Sequence, residues 1–231
     1  MSEDLRTYLQ QNHNKLTWVE RINTAYGITL ALHLIHKENA IHRDLHSGNV
    51  LFLKTNQRFH ISDLGFCGPA DKSLNSIYGN LPYIAPEVIT GKETTFASDI
   101  YSIGILMWEI SSGQPPFINH EYDYYLAVDI VNGMRPKIVP GTPSVYRKLM
   151  EQCWDANITK RPDARILEIK MRELKRLYVQ NNEQPILDQE SSTPVINDNS
   201  IISMSRNYTS KIYQFKNLPE PRNATEGNNY I

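Results

Sequence analysis

The residues whose types and spacing could do chemistry lie close together in the first third of the chain. The run His42–Asn49 (His-Arg-Asp-Leu-His-Ser-Gly-Asn) holds a carboxylate and an amide five positions apart, and Asp63 follows the amide by fourteen residues. Phosphoryl transfer needs a carboxylate to orient the attacking hydroxyl, and ligands to hold magnesium against the phosphates. Asp44 could supply the first carboxylate, while Asn49 and Asp63 could supply metal ligands. The pattern therefore predicts a phosphoryl-transfer site.

A helix and a hairpin must position these side chains. Apolar residues recur at three- and four-residue spacing over residues 17–38, which predicts a helix, and Thr17 with Glu20 can form a capping box at its start. Two short strand-like runs, Val50–Leu53 and Arg58–Ser62, indicate a hairpin. The candidate loop then lies between the helix and the hairpin, and the second carboxylate lies where the hairpin ends.

The remainder of the first 180 residues is predicted to be mostly helical. Residues 98–112 are apolar nearly all round, which is typical of a helix buried at the centre of a domain. Residues 65–83 show no period, and we interpret them as a long loop of the kind that is often functional. Three shorter helices are predicted at 124–132, 144–154 and 164–179. The predicted fold class is therefore mainly α with a small β-hairpin (α+β).

The composition changes after Val179. Asn, Ser, Pro, Gln and Glu dominate, so residues 1–180 are predicted to form the domain and residues 181–231 a polar, disordered tail. Tyr208, Tyr213 and Phe215 could instead form a segment that docks on a partner or on the domain itself. We favour the solvated tail.

Composition and charge exclude several classes of partner. The net charge of −1 over 231 residues gives no basic field to attract nucleic acid or anionic lipid. No apolar run reaches membrane-spanning length, and the acidic first residues do not resemble a signal peptide. Cys67 and Cys153 indicate neither a disulfide framework nor a metal site, and they suit a reducing compartment. We expect a cytoplasmic protein, with the nucleus as the alternative, and no nucleic-acid or membrane partner.

Three motifs in sequence order resemble those of the eukaryotic protein kinase domain. The family pattern is H-R-D-L-x-x-x-N, then D-F-G, then A-P-E, and this chain has His42–Asn49, Asp63-Leu64-Gly65 and Ala85-Pro86-Glu87. The segment from Asp63 to Glu87 has 25 residues, a normal activation-segment length for the family. The resemblance runs from residue 5 to residue 177. It implies the C-terminal lobe of a kinase, similar to the tyrosine-kinase-like group.

The resemblance implies a role for each matched residue of the site. Asp44 is similar to the catalytic base that accepts the proton of the substrate hydroxyl, and Asn49 and Asp63 are similar to the magnesium ligands. Leu51 resembles the residue that packs under the adenine. The implied cofactors are ATP and magnesium. The implied partners are a protein substrate and, as candidates, regulatory proteins.

Other matched residues resemble structural parts of the kinase fold. His42 opens the catalytic motif, and Asp99 resembles the aspartate that anchors the backbone of that loop. A carboxylate in so apolar a helix also needs hydrogen-bond donors. Glu87 and Arg161 resemble the buried ion pair that ties the activation segment to the lower helices.

Arg43 resembles the arginine that goes with control by activation-segment phosphorylation. A phosphate on Ser73, Ser76 or Tyr78 could pair with Arg43 and order the segment. These three hydroxyls are therefore candidate phosphorylation sites.

One departure from the family pattern limits the activity that we expect. None of the eleven glycines forms a G-x-G-x-x-G loop, and no Val-Ala-x-Lys strand precedes the first helix. We therefore expect the N-terminal lobe, with its sheet, to be absent, and expect weak or no activity of the lobe alone because catalysis depends on positioning and electrostatics. A catalytically inactive scaffold or binding module is the alternative function.

Smaller departures concern the substrate. His46 stands where serine/threonine kinases usually carry Lys, and Gly79–Tyr83 resembles the corresponding loop of those enzymes. Arg135-Pro136 and Cys153-Trp154 instead resemble tyrosine kinases and the tyrosine-kinase-like group. Serine or threonine is the favoured acceptor, with tyrosine as the alternative. The histidines at 36, 46 and 60 form no metal-ligand pattern, so we assign them structural or surface roles.

Overall fold

The computed structural model describes residues 2–69, 77–182 and 209–224. The helices in these ranges are α1 (Leu5–Asn12), α2 (Trp18–Lys37), α3 (Pro86–Ile89), α4 (Phe96–Ser112), α5 (Tyr124–Val131), α6 (Ser144–Cys153) and α7 (Ala164–Asn182). The strands are β1 (Ser2–Asp4), β2 (Ala40–Ile41), β3 (Val50–Leu53), β4 (Arg58–Ile61), β5 (Gly68–Pro69), β6 (Ile77–Gly79) and β7 (Lys211–Tyr213). The prediction of a mainly helical protein is confirmed.

Helix α2 begins at the predicted capping box. The Thr17 hydroxyl accepts from the Glu20 backbone N–H at 3.3 Å, and the Thr17 N–H donates to the Glu20 carboxylate at 2.7 Å. The apolar stripe of the helix buries Ile22, Ile28 and Leu32 completely, against α7 and α4. The buried helix α2 therefore supports the loop that follows it.

Helix α4 forms the centre of the core. Nearly all of its residues are buried, as its apolar composition predicts. Its end is fixed by Gly113, whose φ of +72° is the left-handed conformation that favours glycine. A Cβ at Gly113 would lie 2.2 Å from Cγ of His13, so the position also needs the absence of a side chain. Within the described ranges, no helix combines the length and the apolar composition that a membrane crossing requires.

The predicted hairpin is confirmed and gains a third strand. Strands β3 and β4 pair antiparallel, with Val50 opposite Ile61 and Leu53 opposite Arg58. Strand β1 pairs with the other edge of β3, which gives the order β1-β3-β4. The polar residues of β1 show no apolar alternation, so this third strand could not be predicted from the sequence.

The region predicted as one long loop contains two short strands. Strand β5 pairs antiparallel with β2, and β6 pairs antiparallel with β7. Strands of two or three residues are too short to show an alternating pattern, which is why they were not predicted from the sequence. Residues 70–76 of the same loop lie outside the described residues.

The prediction of a disordered tail is wrong for residues 209–224. Strand β7 pairs with β6, and Tyr213, Phe215 and Leu218 pack against the hydrophobic core. These apolar residues are spaced along an extended chain and show no helical period, so composition alone gave no sign that they dock. The alternative interpretation, a docking segment that includes Tyr213 and Phe215, therefore holds for these two residues, and the segment binds the domain itself. Tyr208 lies outside the described residues.

Candidate active site

Asp44 and Asn49 lie together in the loop between β2 and β3. The Asn49 side-chain nitrogen donates to the Asp44 carbonyl oxygen at 2.8 Å. Both residues are buried, with Asp44 only 4% exposed. The His46 ring lies beside them, with Nε2 3.7 Å from Asp44 Oδ1. The loop therefore folds back on itself and brings the carboxylate, the amide and an imidazole to one point.

The surroundings of Asp44 favour its charged form. Burial by itself would raise the pKa of the Asp44 carboxyl, but hydrogen bonding and electrostatic interaction with His46 lower it. The Ser210 hydroxyl and the His42 ring add to this lowering, and the net result is a pKa below the ordinary value for aspartate. Asp44 is therefore an ionised acceptor at neutral pH.

Asp99, at the start of α4, holds the backbone of this loop. Its carboxylate accepts from the backbone N–H groups of His42 at 2.8 Å and Arg43 at 3.0 Å. Nε2 of His36 lies 2.8 Å from the same carboxylate. Arg43 has a φ of +72°, which is a costly conformation for a residue with a side chain. The bonds from Asp99 stabilise this strained residue directly before Asp44.

Asp63 is linked to the same loop through the residue before it. The Ser62 backbone N–H and hydroxyl both donate to the Asn49 carbonyl oxygen, at 2.8 and 3.0 Å. The His42 ring lies 3.0 Å from the Ser62 carbonyl oxygen. Asp63 itself is exposed and adopts the left-handed conformation at the end of the hairpin, with φ of 55°. The chain turns there and leaves the carboxylate open to a ligand.

The donor set suits a magnesium–nucleotide complex. Because the Asn49 nitrogen is used by the Asp44 carbonyl, its side-chain oxygen is the atom left for a cation. Magnesium is typically bound by one or two protein oxygens, and phosphate and water supply the others. Within the described residues no three His, Cys, Asp or Glu side chains form a metal cage. Leu51 lies partly buried on β3.

Tyr78, on β6, lies close to both carboxylates. Burial raises the pKa of its phenol, and the charges of Asp44 and Asp63 raise it further. Its ring stacks on Phe66 with the centroids 4.0 Å apart. Strand β6 therefore passes directly over the site.

Arg43 points away from Asp44 and toward the segment after Asp63. Its guanidinium donates to the Phe66 carbonyl oxygen at 3.1 Å and to the Thr94 hydroxyl at 3.2 Å. Ser73 and Ser76, the two serines proposed as phosphorylation sites, lie outside the described residues. A phosphate on Tyr78 would enter the field of two carboxylates, so this position is electrostatically unfavourable for phosphorylation.

Glu87 and Arg161 form a buried, two-pronged ion pair. The two guanidinium nitrogens lie 2.7 and 2.8 Å from the two carboxylate oxygens. Arg161 also donates to the carbonyl oxygens of Ala97 and Asp155, at 2.9 and 2.8 Å. The pair links the end of the segment that starts at Asp63 to α4 and to the chain before α7.

Two residues at the site were not found by sequence reasoning. His46 is 6% exposed, so a surface role is wrong for this histidine, and it lies against Asp44 instead. Ser210, from the tail, donates from its hydroxyl to Asp44 Oδ1 at 2.7 Å. The position of His46 within the motif could have indicated its place, whereas nothing local marks Ser210.

A third missed residue is Glu109, buried within α4. It accepts a short hydrogen bond of 2.5 Å from the Tyr83 hydroxyl, and Arg6 Nε lies 3.6 Å from its other oxygen. Burial raises the pKa of the Glu109 carboxyl, although Arg6 and Tyr83 oppose that shift. The same reasoning that singled out Asp99 in this apolar helix applies to Glu109.

The fold and the site together define a class of protein, the protein kinases. A family model described as protein tyrosine and serine/threonine kinase matches residues 1–171, so the chain belongs to that family. The dual serine/threonine and tyrosine protein kinase of Homo sapiens is 34% identical over 198 residues, which cover 84% of this chain and 21% of that protein. The protein of the same name from Gallus gallus is 33% identical over 178 residues, covering 75% of this chain and 19% of its own length. The resemblance found in the sequence is confirmed, and the chain spans about a fifth of the length of these curated relatives.

Proposed function

We propose that residues 1–180 are the C-terminal lobe of an ATP-dependent protein kinase. The observation that carries this proposal is the packing of Asp44 and Asn49 in one buried loop held by Asp99. Phosphoryl transfer asks the protein chiefly for such positioning, together with electrostatic stabilisation.

Asp44 is the group that takes part in proton transfer. Its carboxylate, ionised at neutral pH, accepts the proton of the attacking hydroxyl and orients that hydroxyl toward the phosphate. The Gly48 backbone N–H donates to Nδ1 of His46, so the neutral ring carries its proton on Nε2. The Nε2–H group of His46 faces Asp44, where the acceptor hydroxyl of the substrate would lie.

The nucleotide is held by the residues around Asp44. The side-chain oxygen of Asn49 and the carboxylate of Asp63 would hold the magnesium ion of Mg-ATP, and Leu51 would lie under the adenine. When it is bound, the magnesium ion neutralises charge on the phosphates. The protein supplies the fixed geometry, because Ser62 ties the Asn49 backbone to the residue before Asp63.

The proposed acceptor is a serine or threonine hydroxyl in a protein, with tyrosine as the alternative. The names of the relatives include both classes. A serine hydroxyl can reach this carboxylate, since the hydroxyl of Ser210 lies 2.7 Å from Asp44 Oδ1. Arg43 is the candidate pairing residue for a phosphate on Ser73 or Ser76, which would order the segment.

Transfer of labelled phosphate from Mg-ATP to protein or to a serine-peptide library tests the function. The expected result is weak but detectable incorporation by the chain, reduced about 10²–10⁴-fold in Asp44→Asn. Asp163→Asn is the control, because the Asp163 carboxylate is exposed and accepts from the Ile166 N–H, and asparagine caps a helix equally well. Equal incorporation by wild type and Asp44→Asn would contradict the proposal. No incorporation by folded wild type would favour the inactive scaffold.

A further inference from the structure

The tail of this chain lies on the proposed active site as a β-strand. Strand β7 pairs antiparallel with β6, so that Lys211 lies opposite Gly79 and Tyr213 lies opposite Ile77. Strand β6 belongs to the segment between Asp63 and Glu87, and a Cβ at Gly79 in this strand would lie 3.3 Å from Asp44 Oδ1. Adding a strand to an exposed edge is a general way of recognising an extended peptide. The tail is therefore held at the site as a peptide ligand would be.

The tail is also anchored away from the strand. Tyr213 and Phe215 stack on each other with centroids 5.4 Å apart, and the Phe215 ring lies 6.2 Å from that of Tyr124. Further along, the Arg222 backbone N–H donates to the Val131 carbonyl oxygen at 3.0 Å.

The last described residues of the tail are fitted closely to the domain. The Asn223 side chain bonds to the Asp155 carboxylate at 2.9 Å and to the Ala156 N–H at 2.8 Å. The tail backbone runs so close to Gly133 that a Cβ there would lie 2.3 Å from the Ala224 nitrogen. Two separate sets of contacts thus fix the tail, one at the strand and one near α5 and α6.

The strand delivers one hydroxyl to the proposed catalytic group. Ser210 donates to Asp44 Oδ1 at 2.7 Å, and its oxygen lies 3.1 Å from His46 Nε2. Because Nδ1 of His46 is occupied by the Gly48 N–H, Nε2 is the donor to the serine oxygen. The hydroxyl proton is thereby directed to the carboxylate.

We propose that Ser210 is a phosphate acceptor of this chain's own active site. The proposal rests on the proposed kinase function, and it names the substrate. The Ser210 oxygen forms a bond to the γ-phosphorus of a magnesium-bound nucleoside triphosphate, and the bond from that phosphorus to the β,γ-bridging oxygen breaks. The hydroxyl proton passes to Asp44, and the nucleoside diphosphate leaves. The products are phosphoserine, the diphosphate and one proton.

The contacts of the tail also define the peptide class that fits. The acceptor serine is followed by an extended run with aromatic residues three and five positions later, at Tyr213 and Phe215. Both aromatic side chains pack against the hydrophobic core of the domain. We therefore expect Tyr213→Ala and Phe215→Ala to slow phosphorylation of Ser210 at least about tenfold each, as loss of one docking contact of about 1.4 kcal/mol would do.

Phosphorylation would change the fit of the tail. A phosphate on Ser210 places a charge of about −1.5 to −2 against the Asp44 carboxylate. The Asp63 carboxylate is a second negative charge near the paired strands. It raises the pKa of Tyr78, which lies opposite Ile212 where β6 pairs with β7. Repulsion between like charges then favours departure of the tail, which opens the edge of β6 to other peptides.

The first experiment maps phosphate by mass spectrometry after the full chain is incubated with Mg-ATP and a serine-peptide library. Wild type is compared with Asp44→Asn and Ser210→Ala, and with Thr209→Ala as the matched control for an exposed neighbouring hydroxyl. The expected result is phosphate on Ser210 in wild type and Thr209→Ala and none in Asp44→Asn. The fraction modified per unit time should be unchanged on tenfold dilution, since acceptor and active site share one chain.

The other outcomes separate this proposal from the proposed function. Phosphate on library peptides or on other residues, with none on Ser210, overturns the Ser210 assignment and leaves the kinase function in place. A rate at Ser210 that falls in proportion to dilution overturns transfer within one chain. No phosphate on any acceptor overturns both proposals.

The second experiment needs no nucleotide. The chain is prepared with phosphoserine at 210, and amide hydrogen exchange of β6 and β7 is compared with that of the unmodified chain. We expect protection of both strands to fall at least about tenfold. Phosphothreonine at 209, on an exposed position, serves as control and should leave protection unchanged. Equal protection with and without phosphate on Ser210 would overturn release of the tail.

Discussion

Asp99→Asn should uncouple the catalytic loop from the core while leaving side-chain size unchanged. In the native chain one carboxylate oxygen accepts from the His42 N–H and lies 2.8 Å from His36 Nε2, and the other accepts from the Arg43 N–H. Asparagine keeps a single acceptor oxygen. Whichever way the amide turns, its NH₂ group then faces at least one backbone N–H.

The expected loss of stability follows from these contacts. A hydrogen bond to a charged group contributes about 1.5–3 kcal/mol, and a buried donor left without an acceptor costs about 1–3 kcal/mol. Asp99 is 1% exposed, so water cannot replace the lost acceptor. We therefore expect the free energy of unfolding to fall by about 2–4 kcal/mol. The strained φ of Arg43 should relax, which moves the adjacent Asp44 and lowers phosphate transfer.

Urea unfolding of the chain, combined with amide exchange at positions 42 and 43, measures both effects. Asp163→Asn is again the control, and its free energy of unfolding should stay within about 0.5 kcal/mol of wild type. If Asp99→Asn had wild-type stability and wild-type amide exchange at His42 and Arg43, the reasoning would be refuted. The three contacts of the Asp99 carboxylate would then contribute nothing to the free energy of unfolding.

Three further changes have directions fixed by the structure. Gly113→Ala must tolerate a φ of +72° and a Cβ 2.2 Å from His13, so it should destabilise the fold by about 2–4 kcal/mol in urea unfolding. Arg161→Lys replaces a forked pair of bonds with one donor, which should cost about 2–4 kcal/mol in the same assay. Burial and a neighbouring guanidinium lower the pKa of His13 to about 4. In the unfolded chain His13 binds a proton below its ordinary pKa of about 6.5, whereas in the folded chain it binds one only below about pH 4. The free energy of unfolding therefore falls as the pH is lowered from about 6.5 to about 4. The loss is about 1–2 kcal/mol because the ring is only partly buried, and His13→Gln should remove it.

Two of these substitutions, Gly113→Ala and His13→Gln, have a matched control variant, and the third has a result that would contradict it. Gly141 has a φ of +80° with nothing within 4 Å of its Cβ position, so Gly141→Ala should cost only about 1 kcal/mol. Equal losses in Gly113→Ala and Gly141→Ala would contradict the claimed clash. His60→Gln changes an exposed ring and should leave the pH slope intact. An Arg161→Lys chain as stable as wild type would show that one donor suffices for the buried carboxylate.

The site residues could be predicted because their signals are local or specific to a residue type. Asp44 and Asn49 lie in one motif, and the loop needs only eight residues to bring them together. The capping box of α2 depends on two residues three positions apart. Arg161 was paired with Glu87 at long range only through the resemblance to the kinase motifs, because no local pattern links two residues 74 positions apart.

The parts that could not be predicted depend on contacts between distant, short segments. Strands β6 and β7 have three residues each and are separated by more than a hundred positions, so neither shows an alternating pattern. Ser210 reaches Asp44 only because this pairing forms. The φ of +72° at Arg43 is likewise imposed by Asp99, since nothing in an arginine favours that conformation. Glu109 was predictable in principle, from the same rule about buried carboxylates that singled out Asp99.

The affinity of the chain for ATP, titrated by calorimetry with and without magnesium, tests the central claim most directly. If Asn49 and Asp63 hold the metal beside Asp44, magnesium should strengthen saturable ATP binding at least about tenfold, or about 1.4 kcal/mol. Asp63→Asn should lose that gain without loss of fold, because the Asp63 side chain is exposed. Equal ATP affinity with and without magnesium, or a full magnesium effect in Asp63→Asn, would contradict the account.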